Sequence, residues 1–255
     1  MQIKGLRAIV VGGASGMARA TAEAIVAGGG TVAILDLASS DGEAVAAEIG
    51  GGTTFHPCDV TDFEGTEEVL KAAAAALGGL DAVVNTAGGG VAKRTLSKDG
   101  PHPLDEFRWV VDLNLVSSFN LNRLAAAMMS DNEPNDDGER GVMINTASIA
   151  AFEGQIGQVA YTAAKAGIAG MCLTMARDLG SLGIRVNAIA PSLFATGITK
   201  GIPDEFADAL TKDAAFPKRL GKPQEYARLA VAIIENPMLN GGCIRLDAGQ
   251  RFAPR

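Results

Sequence analysis

The sequence is poor in the residues that bind metals and form disulfides. Its 255 residues include three cysteines and two histidines. Cys58, Cys172 and Cys243 are too far apart in the chain to suggest a zinc site or a disulfide framework, so we expect no metal. Unpaired cysteines are typical of a reducing compartment, which favours a cytoplasmic protein. His56 and His102 stand alone, and we interpret both as structural residues.

Basic clusters and long apolar runs are also absent. The net charge is −7, and lysine and arginine form no basic stripe, so no nucleic-acid partner is expected. No run of 18 apolar residues is present, which argues against a membrane-spanning helix and a membrane partner. Residues Met1–Gly5 lead into an apolar strand without the pattern of a signal peptide. The remaining expectation is a small-molecule substrate.

Glycine and apolar residues are abundant, with 32 glycines and 47% hydrophobic residues. Strands are predicted at 6–11, 31–35, 53–58, 80–85, 141–147, 185–190 and 243–246, and helices at 16–28, 41–49, 62–77, 103–130, 157–180, 203–213 and 223–235. The strands are continuous apolar runs, which is typical of a parallel sheet covered on both faces. We therefore predict an α/β fold: one Rossmann-like, doubly wound parallel sheet of about seven strands, with helices on both faces. Residues 1–255 would form a single domain, and the polar segments 93–102 and 131–140 would be solvated loops.

A glycine-rich turn, Gly12–Ala18, separates the first predicted strand from the first predicted helix. Glycines at Gly12, Gly13 and Gly16 permit a tight turn and the close approach of a pyrophosphate to the backbone. The helix start adds free N–H groups and the positive end of the helix dipole. The turn alone is weak evidence, but its position between strand and helix is the context that a dinucleotide site requires.

Asp36 ends the second predicted strand, 20 residues after Gly16. A carboxylate there can accept hydrogen bonds from the ribose 2′-hydroxyl of the cofactor and would repel a 2′-phosphate. Neither the glycine turn nor Leu37 supplies a cation for such a phosphate, so NAD is favoured over NADP. The alternative is that Asp36 only ends a strand.

Two other strands end in residues suited to a ligand site. Asp59 and Val60 follow the third strand, and Asn85-Thr86-Ala87-Gly88 closes the fourth. In a doubly wound sheet both ends lie at the carboxyl edge, where ligands bind. Each could also be ordinary turn chemistry.

Tyr161 and Lys165 are four residues apart on a predicted helix and therefore share one face. The chain has only two tyrosines, and Ser148 lies 13 residues before this one, just past the fifth strand. Reduction of a carbonyl needs a hydride on carbon and a proton on oxygen. A phenol with a pKa of about 10 exchanges protons poorly at neutral pH, and a nearby ammonium favours the phenolate. A serine hydroxyl could hold the substrate oxygen against the tyrosine.

These motifs resemble those of the short-chain dehydrogenase/reductase family, and the resemblance covers the whole chain. It implies that Tyr161 is the acid/base, that Lys165 lowers its pKa and binds the nicotinamide ribose, and that Ser148 positions the substrate. Asn114 matches the family's asparagine that steadies a helix kink and a proton-relay water. The implied NAD site consists of Gly12, Ser15, Gly16, Met17, Asp36, Asp59, Val60, Asn85, Thr86, Ala87, Gly88, Tyr161, Lys165, Phe194 and Thr196. The chain departs from the family pattern at Val11, Ala18, Thr86 and Ser192.

One branch of the family is most similar, and its members interconvert 3-hydroxyacyl-CoA and 3-ketoacyl-CoA with NAD. The similarity is carried by Asn132–Pro134, Gly141–Ser148, Ala151–Gln155, Ala176–Leu179 and Glu235–Gly241. It implies that Gln155 lies near the substrate and that the protein is a homotetramer. A hydroxysteroid or other lipophilic alcohol, or a 3-oxoacyl group on acyl carrier protein, remains an alternative substrate. A cofactor-binding scaffold without turnover is a further alternative, which the intact Ser148, Tyr161 and Lys165 disfavour.

The segment of about residues 196–217 follows the sixth strand and is predicted to cover the substrate. It contains an apolar set suited to an acyl chain or a steroid: Ile198, Ile202, Phe206, Ala207, Leu210 and Phe216. Lys200 and Lys212 could meet CoA phosphates or could simply be solvated. Phe206 and Leu210 could equally form the core face of a short helix.

Overall fold

The apolar runs form one parallel sheet in the computed structural model, which describes residues 1–197 and 203–254. The strands are β1 Arg7–Val11, β2 Thr31–Asp36, β3 Thr54–Pro57, β4 Ala82–Asn85, β5 Leu96–Ser97, β6 Gly100–Pro101, β7 Gly141–Thr146, β8 Ile184–Pro191 and β9 Cys243–Leu246. Seven of them pair in the order β3-β2-β1-β4-β7-β8-β9, and every pair is parallel. The predicted fold class is confirmed.

Helices cover both faces of this sheet. Their bounds are α1 Gly16–Ala27, α2 Gly42–Ile49, α3 Phe63–Leu77, α4 Leu104–Val111, α5 Ser117–Met129, α6 Val159–Leu179, α7 Asp204–Thr211 and α8 Pro223–Glu235. Ala8 and Val10 pack in the layer that contains α1, α2 and α8. Ile9 and Val11 pack in the layer that contains α3 and α5. Successive side chains of a strand point to opposite faces, so a strand buried on both faces reads as a continuous apolar run.

The single helix predicted over 103–130 is interrupted. Between α4 and α5 lies one turn of π-helix, Asp112–Val116, and the buried Asn114 is at its centre. The Asn114 amide donates hydrogen bonds to the carbonyl oxygens of Val110, at 2.8 Å, and of Gly89, at 2.7 Å. A side chain that bonds to the backbone in this way competes with the regular helical pattern. Residue periodicity does not show such an interruption.

The two polar segments are only partly solvated. The first contains a small antiparallel pair, β5 with β6. At the end of the second, Glu139 is only 6% exposed, and its carboxylate lies 2.6 Å from the guanidinium of the equally buried Arg185. The prediction of a solvated loop is wrong at Glu139, because a charge can be buried when a partner and hydrogen bonds compensate for its lost hydration.

Helix α6 and the following turn, Val159–Leu182, are long and apolar enough to cross a membrane by length and composition, with a mean hydropathy of 1.2. The search for runs of apolar residues did not predict this. The core helix of a globular domain passes the same test. Buried Ile168 and Cys172 of α6 pack against Ala188 and Ala190 of β8. Length and composition alone therefore do not identify α6 as a membrane span.

The order of the strands determines where a ligand can bind. From β1 the chain continues through β2 and β3 in one direction, whereas β4, β7, β8 and β9 follow in the other. The connections at β1 and β4 therefore lead away from each other, which leaves a crevice at the carboxyl ends of these two strands. The residues that follow β1 and β4 are those of the glycine turn and of Thr86–Gly88.

Candidate active site

A cavity of about 650 Å³ occupies this crevice. Its wall includes most of the site residues predicted from the sequence: Gly12, Ser15, Gly16, Met17, Asp36, Asp59, Val60, Thr86, Ala87, Gly88, Ser148, Tyr161, Lys165, Phe194 and Thr196. These residues come from six strand ends and from α6, and the fold brings them together at one edge of the sheet. Asn85, Asn114 and Gln155 do not belong to this wall.

The glycine turn fits a pyrophosphate closely. A Cβ atom placed on Gly12 would lie 2.8 Å from Oγ1 of Thr86, and one on Gly16, whose φ is +55°, would lie 2.9 Å from Cγ2 of Thr196. The turn is therefore packed so tightly that only glycine leaves its backbone accessible. Within the described residues, Ser15 provides no side-chain cap to α1, so the N–H groups of the first turn stay available to an anion.

Asp36 directs its carboxylate at this turn. One oxygen accepts a hydrogen bond from the backbone N–H of Ala14 at 3.0 Å, and the other accepts from the N–H of Leu37 at 2.8 Å. Each carboxylate oxygen can accept a second hydrogen bond. The half-exposed Leu37 also lines the cavity and brings no charge. This arrangement suits the ribose hydroxyls of NAD and opposes a 2′-phosphate.

Asp59 is held as a carboxylate at the opposite wall of the crevice. Its Oδ1 accepts hydrogen bonds from the hydroxyl of Thr61, at 2.7 Å, and from the backbone N–H of the same residue, at 2.9 Å. Both bonds favour the charged form and lower the pKa of Asp59. The side chain therefore stays an acceptor for a cofactor donor. Among the described residues, no group of three His, Cys, Asp or Glu side chains could hold a metal ion.

Gly88 lies at the closest approach between the β4 loop and the catalytic helix. A Cβ atom there would be 2.5 Å from Oδ1 of Asn114 and 3.2 Å from Nζ of Lys165. Oδ1 of Asn114 accepts from the N–H of Gly89 at 3.2 Å. The π-turn thus holds the β4 loop through Asn114, and this residue acts on the cavity from behind its wall. Asn85, also buried, supports the same loop by accepting from the N–H of Ala87 at 3.1 Å.

Ser148 and Tyr161 share a hydrogen bond between their hydroxyl groups. Ser148 follows β7 in extended conformation, and its Oγ also accepts from the N–H of Ala150 at 3.1 Å, which fixes its rotamer. Burial raises the pKa of Tyr161, and the hydrogen bond from Ser148 opposes that shift. The two hydroxyls form a pair that can bind one oxygen atom of a substrate and exchange a proton with it.

Lys165 is buried beneath this pair. Its Nζ lies 5.5 Å from the centroid of the Tyr161 ring and donates a hydrogen bond to the carbonyl oxygen of Thr146 at 2.8 Å. Burial lowers the pKa of Lys165 to about 8. The side chain is therefore mostly protonated at neutral pH, and two of its three N–H bonds remain for other acceptors.

Gln155 lies in a second cavity, of about 550 Å³, together with Arg94, Ile156 and Thr162. Its amide donates to the carbonyl oxygen of Ala253 at 3.1 Å. Proximity to the substrate was inferred for Gln155 by resemblance. The structure instead places it beside the C-terminal residues, behind the loop that follows Ser148.

The segment predicted to cover the substrate is only partly described. Ile198, Lys200 and Ile202 lie outside the described residues. In the rest, Phe206 is 65% and Phe216 is 84% exposed. Leu210 is also exposed, so α7 does not bury Phe206 and Leu210 as a core face. Exposed apolar side chains next to a cleft are suited to contact with an apolar ligand or another chain.

Several residues of the cavity wall were missed by the sequence analysis: Leu37, Cys58, Thr61, Trp109, Leu113, Thr146, Pro191, Ser192 and Leu193. Trp109 and Leu113 are four residues apart near Asn114, so the helical face of that residue could have indicated them. The others follow strands whose ends had already been singled out.

Comparisons with known proteins agree with this geometry. A family model described as short chain dehydrogenase matches residues 7–206. The human protein "3-hydroxyacyl-CoA dehydrogenase type-2" is 49% identical over 254 residues, which cover 99% of this chain and 97% of that protein.

Two solved structures extend the comparison. The crystal structure of 3-hydroxyacyl-CoA dehydrogenase type-2 from Mycobacterium avium superimposes with a TM-score of 0.92 at 43% identity, covering 98% of both chains. A 7α-hydroxysteroid dehydrogenase complexed with NADH and 7-oxo glycochenodeoxycholic acid superimposes with a TM-score of 0.89 at 28% identity, covering 100% of this chain and 97% of the other. Both likenesses span essentially the whole fold.

Proposed function

The chain belongs to the short-chain dehydrogenase family, and we propose that it interconverts 3-hydroxyacyl-CoA and 3-ketoacyl-CoA. It is an NAD-dependent oxidoreductase that acts on a CH–OH group. The convergence of Ser148, Tyr161 and Lys165 in one cavity supports the chemistry of proton exchange. The observation that carries the acyl-CoA substrate is the 49% identity, over 99% of this chain, to a 3-hydroxyacyl-CoA dehydrogenase type-2.

Tyr161 and Ser148 divide the work at the substrate oxygen. When bound, the nicotinamide supplies hydride in reduction and accepts it in oxidation. The Tyr161 hydroxyl donates its proton to the carbonyl oxygen in reduction and takes it back in oxidation. The Ser148 hydroxyl hydrogen-bonds to the same oxygen and holds it beside the phenol. Because burial favours the neutral phenol, Tyr161 is already in the form that reduction needs.

Lys165, Asn114 and Asp36 act around this pair. Lys165 places an ammonium beneath the Tyr161 ring and offers its remaining N–H groups to the nicotinamide ribose. Asn114 holds the β4 loop against the cofactor. Asp36 accepts from the adenosine ribose and selects NAD. These roles rest on the contacts of each side chain and on the family pattern.

The test of the substrate compares three ketones at a fixed concentration of NADH: acetoacetyl-CoA, acetoacetyl-pantetheine and a 17-ketosteroid. We expect the highest kcat/KM for the CoA ester and a lower value for the pantetheine form, since it lacks the nucleotide. If the steroid is faster by about tenfold or more, which is about 1.4 kcal/mol of transition-state binding, the acyl-CoA assignment is wrong and the dehydrogenase class remains.

A hydroxysteroid substrate is the second candidate. The structural likeness to a 7α-hydroxysteroid dehydrogenase favours it, as do the exposed Phe206 and Phe216. We rank it lower because that likeness comes at 28% identity, well below the similarity to the acyl-CoA enzymes. Reduction of an acyl-carrier-protein substrate is opposed by Asp36, since reductases of fatty-acid synthesis mostly use NADPH.

We also propose a cytoplasmic homotetramer that binds neither nucleic acid nor membrane. Exposed apolar side chains on α5 and α6, Phe119 and Leu173, support association between copies of the chain. The three cysteines are free, which fits a reducing compartment. Light scattering at micromolar protein tests the assembly, and a monomer there would rule out the tetramer.

A further inference from the structure

The residues after β9 bridge two parts of the molecule that border the substrate side of the site. We call Asp247–Pro254 the C-terminal segment and Phe152–Gly157, which follows Ser148 and its short helical turn, the Gln155 loop. The carbonyl oxygen of Ala253 accepts from the Gln155 amide at 3.1 Å. The carbonyl oxygen of Pro254 accepts from the N–H of Ile156 at 3.0 Å. The C-terminal segment thus runs along one side of this loop.

On its other side the same segment contacts the region around α7. The Gln250 amide, which is buried, donates to the carbonyl oxygen of Leu210 at 2.9 Å. The carbonyl oxygen of Ala248 accepts from the N–H groups of Ala215 and Phe216, at 2.9 and 3.1 Å. Five hydrogen bonds in all therefore connect the C-terminal segment to the Gln155 loop and to the predicted substrate cover.

Ala248 has a conformation that needs external support. Its φ is +53°, and it is the one residue other than glycine with positive φ among the described residues. An alanine in this region is disfavoured by about 1 kcal/mol or more, because Cβ approaches the following carbonyl. Such strain persists where surrounding contacts enforce it, and it is found most often at ligand clamps and active sites. Here the enforced conformation directs the Ala248 carbonyl at the N–H groups of the cover.

Arg245 is the centre of the contacts that hold this segment. Its guanidinium makes two parallel hydrogen bonds to the Glu153 carboxylate, at 2.8 and 2.9 Å. It also donates to Asp247 at 2.7 Å and to the carbonyl oxygen of Gln250 at 3.1 Å. Its Cζ lies 5.1 Å from the centroid of the Phe152 ring. One side chain thus joins the Gln155 loop to both ends of the turn that contains Ala248.

We propose that Arg245 is a positioning residue for substrate binding, which acts by holding the Gln155 loop and the substrate cover at a fixed separation through the C-terminal segment. The proposal deepens the proposed function, because it takes the part of the substrate remote from the reacting carbon to lie between these two walls. A planar guanidinium suits the task, since it binds a carboxylate with two bonds and stacks on an aromatic ring at once. Arg245 touches neither the cofactor site nor the catalytic hydroxyls.

The experiment compares Arg245→Gln and Glu153→Gln with the matched control Arg251→Gln. Arg251 contacts the same two carboxylates but is 58% exposed, and its distance to Glu153 is 3.6 Å. We expect the first two variants to raise KM for the ketone about tenfold, as loss of charge-assisted hydrogen bonds does, with the Kd for NADH unchanged. The control should change KM by less than about twofold, since exposed ion pairs contribute little. Arg245→Lys should give an intermediate KM, because it keeps the charge but not the two-bond geometry.

Amide hydrogen exchange, measured without substrate, provides the independent readout. We expect faster exchange in Arg245→Gln both in peptides covering 152–158 and in peptides covering 213–217. Faster exchange in only one of these regions would show that the segment does not couple the two walls. Faster exchange in both with an unchanged KM would show a purely structural contact, and either result overturns the proposal. The kinetics use the ketone that the wild type reduces best, so a failure of acetoacetyl-CoA counts against the proposed function and not against Arg245.

Discussion

Nζ of Lys165 lies 5.5 Å from the centroid of the Tyr161 ring and is hydrogen-bonded to the carbonyl oxygen of Thr146. The sequence predicted an ammonium that lowers the pKa of the phenol. In the protein chain itself, burial raises the pKa of Tyr161 and lowers that of Lys165 to about 8. Desolvation disfavours the charged form of both groups, and it outweighs their mutual attraction at this distance. The pair is therefore close to electrically neutral before any ligand adds charge.

The first prediction concerns the stability cost of Lys165. Burial lowers its pKa from 10.5 to about 8, so between these values the unfolded chain binds this proton more strongly than the folded one. Wild-type stability should rise by about 3 kcal/mol as the pH increases from 8 to 10.5. Lys165→Met removes that cost but also the bond to Thr146, worth about 1 kcal/mol, and should be more stable by about 2 kcal/mol at pH 7. Urea unfolding at pH 7 and pH 10.5 measures both, and a less stable variant at pH 7 contradicts the prediction.

The second prediction compares the two tyrosines of the chain. Tyr161→Phe should reduce kcat by about 10³-fold, because it removes the proton donor, and should leave NADH binding intact. Tyr226 is the control: it is fully buried, and its hydroxyl lies 2.7 Å from that of Thr146. Tyr226→Phe should destabilise the fold by about 1 kcal/mol and change kcat little. Equal kcat values for Tyr161→Phe and wild type would remove Tyr161 from the reaction.

The third prediction uses adjacent glycines. Gly88→Ala places a Cβ 2.5 Å from Asn114 and 3.2 Å from Lys165, so one of these side chains must move. We expect kcat to fall by about 10²-fold, as for a displacement of catalytic groups by about 1 Å. Gly89→Ala is the matched control, since its Cβ would lie 3.6 Å from Leu113, an ordinary contact. Similar kcat values for the two variants would show that the Gly88 contact has no catalytic consequence.

The fourth prediction concerns the choice of cofactor. Asp36→Ala combined with Leu37→Arg should shift the kcat/KM ratio of NADP to NAD upward by about tenfold or more, because repulsion is removed and a phosphate partner is added. Leu37→Arg alone, with the Asp36 carboxylate intact, is the control and should shift the ratio less. A wild type that already prefers NADP would overturn the interpretation of Asp36.

Much of the site was predictable because parallel strands end at one edge. Asp36, Asp59, Thr86 and Ser148 each follow an apolar strand, and the topology of a doubly wound sheet brings such positions together. Trp109 was not found, because it reaches the cavity only through the way α4 packs against the β4 loop. Gln155 was placed by resemblance, and its contact with Ala253 depends on where the C-terminal residues return.

The amino-acid sequence by itself determined the α/β class, the glycine turn with Asp36 at the next strand end, and the spacing of Tyr161 and Lys165. Each of these follows from local patterns: apolar runs, turn residues and helical periodicity. Only the tertiary structure decided the π-turn at Asn114, the burial of Glu139 against Arg185 and the bridge formed by Arg245. These features join residues that are distant in the chain, so no local pattern contains them.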